Sequence, residues 1–464
     1  MARGVLTPQA EDFPRWYQDV VAKAEMAENG PARGTQIIKP WGYAIWERIQ
    51  AELDARIKAT GHDNVYFPLF IPMSYFEREA EHVEGFSPEL AVVTHGGGEE
   101  LAEPLAIRPT SETVIMDAMS RWVQGYRDLP LKLNQWANVV RWELRTRLFL
   151  RSAEFLWQEG HTAHATWQEA QDETLTILVD VYQEVMRDVL GMPVILGLKT
   201  KAETFPGADL TYTLEALMRD GKSLQSGTSH NFGQNFSKAF GIEFSDAQGQ
   251  RQRAYTTSWG VSTRVVGALV MCHGDDGGLR LPPKIAPAQA VVVAIKEEAV
   301  ETCGKLVAAL GDAGVRARLD DRASQSFGRR AVEWELKGVP LRLELGPRDL
   351  AEGVVTLVRR DREGKETVAL DSVVGTVPGL LDEVQHSLYT DALGRREAST
   401  YEVTSGAEVE GAGFFRLDWD TLGLEGEAAL VERGYTVRCL VRRDGGIPNS
   451  RDENDLVAYV ARAY

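Results

Sequence analysis

Arg141 and Glu143 stand two residues apart in Arg141-Trp142-Glu143, and Arg264 closes the run Gly260-Val261-Ser262-Thr263-Arg264 much later in the chain. Arg141 and Glu143 follow an apolar, strand-like stretch, Gln135-Trp136-Ala137-Asn138-Val139-Val140. Alternate residues of a strand project from one face, so the two side chains are expected to point together. Arg264 falls in the first turn of an apolar helix predicted from Val265 to Met271, behind a strand-like run from Tyr255 to Trp259. Guanidiniums converging from distant segments make a fork for phosphate or carboxylate. Spacing alone leaves a plainer alternative open: an Arg–Glu pair on a sheet face and one solvated arginine.

The elements that must hold these residues are partly legible. Ile45, Ile49, Leu53 and Ile57 recur every four residues, so Trp41 to Thr60 is a predicted helix, stopped at Gly61. Val65-Tyr66-Phe67 is a predicted short strand, and Pro68 and Pro72 place it at an edge or interface. His95-Gly96-Gly97-Gly98 is a predicted hairpin turn, and Ala163 to Leu190 a predicted amphipathic helix ended by Gly191. Leu281-Pro282-Pro283-Lys284-Ile285-Ala286-Pro287 is proline-rich and reads as a stiff linker. Beyond it, strands at 290–295, 315–319, 341–345 and 354–359 alternate with helices at 298–311, 327–337 and 381–388, the pattern of a small covered sheet. A third, glycine-rich composition begins near Tyr389.

With 464 residues, 44% apolar and 26% charged, the chain has room for two or three ordinary globular domains. No apolar run approaches the ~18 residues that span a membrane, and Met1 to Pro8 carries no apolar signal segment. Cys272, Cys303 and Cys439 are odd in number and far apart, which fits a reducing cytoplasm and gives no disulfide framework. A net charge of −17 argues against nonspecific nucleic-acid binding, DNA included. Between Arg316 and Arg348, however, basic residues outnumber acidic ones, which is either a local nucleic-acid patch or a solvated face.

Familiar nucleotide loops are missing. Gly221-Lys222-Ser223 ends like a phosphate loop, but its first glycine position is Ala216. His161 and His164 lack a nearby cysteine to complete a zinc set. Asp275-Asp276 reads as a helix-terminating turn.

Longer stretches point further. Arg108-Pro109-Thr110-Ser111-Glu112, the run from Asn134 to Arg147, Glu154 to His164, Gln225-Ser226-Gly227-Thr228-Ser229-His230 and Thr257 to Arg264 together resemble prolyl-tRNA synthetases of the archaeal/eukaryotic type, a form some bacteria also carry. The resemblance covers nearly the whole chain. It implies an α+β protein in three parts: a class II synthetase catalytic domain with an antiparallel sheet over 1–282, an α/β anticodon-binding domain over 283–388, and a small C-terminal α+β domain over 389–464. The helix from Trp41 with the strand ending at Pro68 would be motif 1, at a homodimer interface. Arg141 to Phe155 would be motif 2, a hairpin, and Gly260 to Met271 motif 3.

The activity implied is ligation of L-proline to tRNA(Pro) in the cytoplasm, with ATP and Mg²⁺. Proline's carboxylate attacks the α-phosphorus of ATP, pyrophosphate leaves, and the tRNA 3′-end then takes the prolyl group. Both steps gather negative charge, which pre-placed cations stabilise. The resemblance gives Arg141 the α-phosphate and substrate carboxylate. It gives Arg151 and Arg264 the γ-phosphate side, with Arg264 also near the adenine, Glu143 the adenine amino group or the Arg141 fork, Glu154 and Gln225 nucleotide or Mg²⁺ contacts, and Thr228 a further ATP contact. Thr110 and Glu112 would receive the proline ammonium, and Phe86, Trp157 and His230 would surround the ring, with Glu159 and His161 behind.

Leu336 to Asp349 resembles the anticodon-binding domain. Proline anticodons share two guanines, which arginine and carboxylates recognise, so Glu344, Arg348 and Asp349 are candidates. Relatives often carry four cysteines near the C-terminus for zinc, where only Cys439 is kept here, so no structural zinc is expected. The free carboxylate of Tyr464 is expected to reach back toward the catalytic domain. Other bacterial prolyl synthetases insert an editing domain between motifs 2 and 3, and the stretch from Glu154 to Gly260 leaves no room for one. A non-catalytic, synthetase-like regulator would lack the motif arginines or the anticodon domain, and both are present.

Overall fold

A computed structural model describes residues 4–80, 90–143 and 145–464. Helix α1 (Phe13–Lys23) begins where the Asp12 carboxylate accepts the Arg15 N–H at 3.0 Å, and it buries Trp16, Tyr17, Val20 and Val21. A small hairpin, β1 (Ala27–Asn29) with β2 (Gln36–Ile38), leads to α2 (Pro40–Ala59), the helix its four-residue apolar spacing predicts. The strand expected at Val65–Phe67 is displaced: β3 (Asp63–Asn64) lies two residues earlier and pairs in parallel at Asp63↔Leu133 and Asn64↔Asn134. Its place at the sheet edge is as expected.

A separate three-stranded sheet holds β4 (Phe70–Pro72), then, after α3 (Met73–Ala80), β5 (Ala91–Gly96) and β6 (Glu99–Ile107), in the order β4-β6-β5. Gly97 and Gly98, both at positive φ, make the expected turn. Helix α4 (Glu112–Trp122) follows and delivers the chain to the main sheet.

That sheet is built from β7 (Leu131–Val140), β8 (Glu154–His164), α5 (Trp167–Thr176) as a covering helix, β9 (Val194–Leu198), β10 (Leu210–Leu217), β11 (Ser223–Asn231), the excursion α6 (Asn235–Phe240), β12 (Glu243–Ser245) and β13 (Arg251–Arg253), and β14 (Tyr255–Ser262). Its order is β9-β10-β11-β14-β8-β7-β3, antiparallel except at β3. The helix expected from Ala163 starts later. Ala163 and His164 are claimed by ladders on β8, with His164 opposite Tyr255 and Ala163 opposite Leu131. Thr166 caps α5 by accepting the Glu169 N–H at 3.2 Å, and wider π-type turns extend it to Val189. Helix α7 (Arg264–His273) is apolar and buried from Val265 onward. With α2 and the π-type turns it forms the main core beneath the sheet.

The second unit has β15 (Ala290–Ala294), α8 (Val300–Asp312), β16 (Ala317–Asp320), α9 (Phe327–Leu336), β17 (Leu341–Leu345), α10 (Pro347–Glu352), β18 (Val354–Arg359) and β19 (Glu366–Ala369) in the order β16-β15-β17-β18-β19. The proline-rich stretch before it is no free linker. Leu281, Ile285 and Ala286 are buried in the main core, and Arg316 donates to the carbonyls of Pro283, Lys284 and Ala286. The short helix expected at 381–388 is part of α11 (Val373–Ala398), whose stripe of Val373, Val377, Leu381, Val384, Leu388 and Ala392 continues unbroken past residue 388.

In the last unit, β20 (Thr400–Glu402), β21 (Phe414–Asp418), α12 (Trp419–Glu432), β22 (Thr436–Arg442) and β23 (Leu456–Ala461) surround their own apolar cluster. Strand β22 also pairs with β9 at Leu440↔Leu198, so this sheet and the main one are a single 11-stranded sheet.

Candidate active site

A cavity of about 390 Å³ opens on β8, β11 and β14, roofed by the loop between β7 and β8 and closed at one end by the start of α7. It brings together Thr110, Glu112, Arg141, Glu143, Arg151, Trp157, Glu159, Gln225, Thr228, His230 and Arg264. Segments far apart in sequence meet here because β8 lies beside β14, with Trp157 opposite Ser262 and Glu159 opposite Gly260. Gly160 permits that approach: a Cβ there would lie 2.1 Å from the Trp259 ring.

One end is lined by carboxylates. Glu112 accepts the Thr110 hydroxyl on one oxygen and the Ser258 hydroxyl, at 3.2 Å, on the other. Glu159 accepts from Ser111 at 2.6 Å and Gln135 at 2.8 Å, and its second oxygen lies 3.2 Å from His161 Nε2. Burial pushes the Glu159 pKa up, but His161 and the hydroxyl and amide donors outweigh it and hold the carboxyl below its ordinary value. Burial likewise opposes a charged His161, yet Glu159 and Glu112 raise its pKa. His230 differs. Burial, with His161 nearby, lowers it to about 3, so it is a neutral ring, 3.0 Å from the Thr211 hydroxyl and flanked by Phe205 and Phe232. Carboxylates between aromatic walls suit a small ligand with a cationic N–H group and an apolar body.

The other end is cationic. Arg141 donates to the Pro109 carbonyl at 3.0 Å, and its guanidinium lies 5.5 Å from the ring centres of both Phe155 and Trp157. It faces the open cavity while protein surrounds its other sides, and that burial lowers its pKa against the pull of Glu112 and Glu159. Arg264 donates to the Leu150 carbonyl at 3.1 Å, and its pKa falls to about 10 through burial first, then repulsion from Arg151 and Arg141. Among the described residues, neither Arg141 nor Arg264 has a carboxylate ion-pair partner, while Arg151 has Glu143 at 3.6 Å. Clustered cations short of counter-charge are suited to a polyanion.

The roof loop is held from outside the sheet. Arg147 and Arg151 exchange backbone hydrogen bonds, and Arg141 N–H reaches the Ala153 carbonyl at 2.8 Å. Tyr17 of α1 donates to Leu148 O at 2.8 Å, Gln36 of β2 accepts Phe149 N–H at 2.9 Å, and Gly34 O accepts Ala153 N–H at 2.8 Å. Strand β7 ends at Val140, so Arg141 and Glu143 meet the cavity from this loop and not by strand alternation. Glu143 also accepts the Arg145 N–H at 2.9 Å, and its ionic partner is Arg151 in place of the Arg141 fork.

Other expectations resolve unevenly. Glu154 is absent from the cavity wall and accepts Asn138 Nδ2 at 2.9 Å. Glu159 lines the cavity, while His161 is not on its wall and sits against the second oxygen of Glu159. Phe86 lies outside the described residues. The three anticodon candidates do different things. Glu344 is buried between Arg342 and Lys365, Arg348 is exposed and paired with Glu352, and Asp349 accepts the Gly346 N–H at 2.8 Å to start α10. Much of the basic run is also occupied internally, with Arg322 and Arg330 both on Asp320. Tyr464 reaches the catalytic sheet by its phenol, 2.6 Å from Asp220, and by its N–H to Ser223 O, with Arg147 and Lys222 over its ring. Ser258, Phe155, Phe205 and Thr211 are site residues that motif reading gave no role; the alternation of Ser258, Gly260 and Ser262 on one strand face was the available signal.

Residues 94–273 match the model of the class II tRNA synthetase core domain (G, H, P, S and T), and residues 289–380 match the anticodon binding domain. The proline–tRNA ligase of Frankia casuarinae is 59% identical over 99% of this chain and 100% of the relative. The chloroplastic/mitochondrial proline–tRNA ligase of Arabidopsis thaliana is 50% identical over 94% of this chain and 83% of the relative. Prolyl-tRNA synthetase from Cryptosporidium parvum, solved in complex with halofuginone and AMPPNP, superimposes with a TM-score of 0.92 at 37% identity, covering 99% of both chains.

Proposed function

The chain belongs to the proline–tRNA ligase family, and on that premise we propose that the carboxylate end of the cavity receives L-proline and the arginine end receives ATP. The protein is a class II aminoacyl-tRNA ligase: it activates L-proline with ATP to prolyl-adenylate and pyrophosphate, then transfers prolyl to the 3′-end of tRNA(Pro). The observation that carries the residue assignment is the charge polarity of one cavity, with Glu112 and Glu159 at one end and Arg141, Arg151 and Arg264 at the other.

Glu112, oriented by Thr110 and Ser258, accepts the proline ammonium. Trp157 and His230 wall the ring, and neutrality at His230 keeps a second positive charge away from it. Glu159 and His161 neutralise each other behind this wall and fix Ser111 beside Glu112. Phe86 completes the family pattern for the ring.

Arg141, the member of the arginine end that also feels Glu112 and Glu159, offsets the repulsion between proline's carboxylate and the α-phosphate. A carboxylate oxygen forms a bond to the α-phosphorus and the bond to the pyrophosphate oxygen breaks. The nucleophile is already ionised, so no protein base is needed. Arg151 and Arg264 hold the γ-phosphate side, with Gln225, Thr228 and Glu143 around the nucleotide. The AMPPNP bound to the Cryptosporidium relative supports a nucleotide site here. Mg²⁺ arrives with ATP as part of the substrate. It needs only one or two protein oxygens beside the phosphates, for which we propose Gln225, since Glu154 lies off the cavity wall on Asn138. In the second step a ribose hydroxyl of tRNA attacks the prolyl carbonyl and AMP leaves.

The match to an anticodon binding domain supports tRNA as the second partner. Glu344, Arg348 and Asp349 stay the proposed readers, with Arg348 the exposed one of the three, Glu344 bound to Arg342 and Lys365, and Asp349 to the Gly346 N–H. We keep three functional units, 1–282, 283–388 and 389–464, with α11 bridging the last two. A homodimer through the Tyr66, Phe70, Val92 and Trp122 surface is proposed from the exposure of these large apolar side chains beside motif 1. No helix among the described residues is long and apolar enough to cross a membrane. The proposed setting is the cytoplasm, with neither membrane nor DNA as partner. No structural zinc is proposed either: burial, with Glu215 nearby, pushes the lone C-terminal thiol, Cys439, up to about 12, away from the thiolate that zinc requires. Proline-dependent ATP–pyrophosphate exchange tests the assignment, with Glu112→Gln reporting on the proline end and Arg264→Gln on the ATP end.

A further inference from the structure

Glu215 is a buried carboxylate on β10 that serves no step above. It accepts from Thr213 at 2.8 Å, Ser223 at 2.7 Å and Lys199 at 3.1 Å, and from Arg438 through Nε at 3.0 Å and Nη2 at 3.2 Å. Arg438 comes from β22, in the last unit of the chain. Gly197 lets that strand approach: a Cβ there would lie 2.6 Å from Leu440 O and 2.7 Å from Cys439 Cβ.

Glu215 also marks a break in the ladder. The pairing of β10 with β11 shifts from Leu214↔Gly227 to Glu215↔Gln225, leaving Ser226 as an extra residue. A bulge interrupts backbone pairing and re-aims neighbouring side chains. Here Gln225, Ser226 and Gly227 all face the cavity. Ser223, just before the bulge, is held on two sides. Its hydroxyl is on Glu215, while its backbone pairs with the chain's tail through Arg462 O at 2.8 Å and Tyr464 N at 3.1 Å.

We propose that Arg438 is a positioning residue for the nucleotide end: acting through Glu215, it fixes the bulge that aims Gln225 and Ser226 at ATP. The inference rests on the assignment of that wall to ATP. It makes the last unit part of the catalytic apparatus. At the proline end Glu112 hangs on the start of α4 and Ser258 on β14, and His230, though on β11, lies beyond the bulge in regular register with Thr211, so loss of Arg438 should separate the two substrates.

The test is pyrophosphate exchange by the full-length protein, with ATP and proline varied in turn, for wild type, Arg438→Met and Arg438→Lys. Expected are a KM for ATP roughly tenfold higher in Arg438→Met, a KM for proline within about twofold of wild type, and partial recovery in Arg438→Lys. An unchanged KM for ATP, or equal rises for both substrates, overturns the proposal. Should Arg438→Met not fold, Ser223→Ala takes its place and the same split decides. A wild type without proline-dependent exchange fails earlier and overturns the substrate assignment itself.

Discussion

Arg264 donates its Nε–H to the Leu150 carbonyl at 3.1 Å, tying the first residue of α7 to the loop between β7 and β8. That bond fixes Arg264 beside Arg151 and Arg141 despite their mutual repulsion, which is part of why its pKa falls to about 10. Among the described residues Arg141 and Arg264 are held by backbone carbonyls, and Arg141 also by aromatic rings, in place of carboxylate ion pairs, so their potential remains available to a ligand.

Replacing Arg264 should therefore divide function from stability. Arg264→Gln is expected to lower kcat/KM for exchange by roughly 10²–10³-fold, the scale for losing one preorganised donor to developing charge. Thermal stability should be unchanged or higher, because the repulsion from Arg151 and Arg141 is relieved. Exchange kinetics beside a melting curve checks both; a large drop in Tm would contradict the electrostatic reading.

Glu112→Gln keeps the shape of the proline end and removes its charge. The KM for proline should rise by roughly tenfold to a hundredfold, the loss expected for a hydrogen bond to a charged group. Ser258→Ala should act in the same direction more weakly. Equal effects on ATP and proline would show that Glu112 is not specific to the amino acid.

Alanine should be activated to a measurable extent. A pocket rejects a smaller ligand by only about 1–3 kcal/mol per missing methylene, and the elements from β8 to β14 fill the stretch between motifs 2 and 3. Exchange with alanine above the blank is expected; exchange at the blank would contradict it.

Acid should destabilise the protein through its buried histidines. Burial lowers His164 to about 4 and His230 and His273 to about 3. Between these values and the ordinary pKa of ~6.5, the unfolded chain binds more protons, so stability falls as pH drops through that window. Glu215, lowered to about 2 despite burial, mainly by Arg438 and Lys199, adds a loss below its ordinary value of 4.5. His161 is raised, and its contribution has the opposite sign, fading as pH rises through its folded value. Tm measured from pH 7 to pH 4 should decline; a rise over that range would contradict the assignment of neutral buried histidines.

Deleting Tyr464 removes the Asp220 hydrogen bond and the ring beneath Arg147 and Lys222. Exchange activity should fall while the secondary structure persists. A variant as active as wild type would show that the tail does not support the site.

The long motifs made the cavity legible before its geometry was known, because Arg141, Glu112 and Arg264 sit inside distinctive runs. The α/β alternation after residue 289 was equally readable from apolar periodicity. What failed was local pattern without tertiary context. Ala163 and His164 have helix-compatible neighbours, yet two flanking strands claim their backbone. Residues 281–287 look like a linker, yet Arg316 supplies donors for their carbonyls and the core takes their apolar side chains. Asp349, a base-reader candidate by residue type, also closes a capping box on the Gly346 N–H, a role its position three residues after Gly346 already favours. Ser258 carries no motif-level signal of its own, since its value lies in facing Glu112 from another segment of the chain.

The most direct test of the central claim is ATP–pyrophosphate exchange by untagged protein with proline, alanine and cysteine in parallel, for wild type and Glu112→Gln. The account predicts exchange dominated by proline in wild type, and a loss in Glu112→Gln that high proline concentration restores. No proline-dependent exchange in folded wild type, or a Glu112→Gln defect that proline cannot overcome, would contradict it.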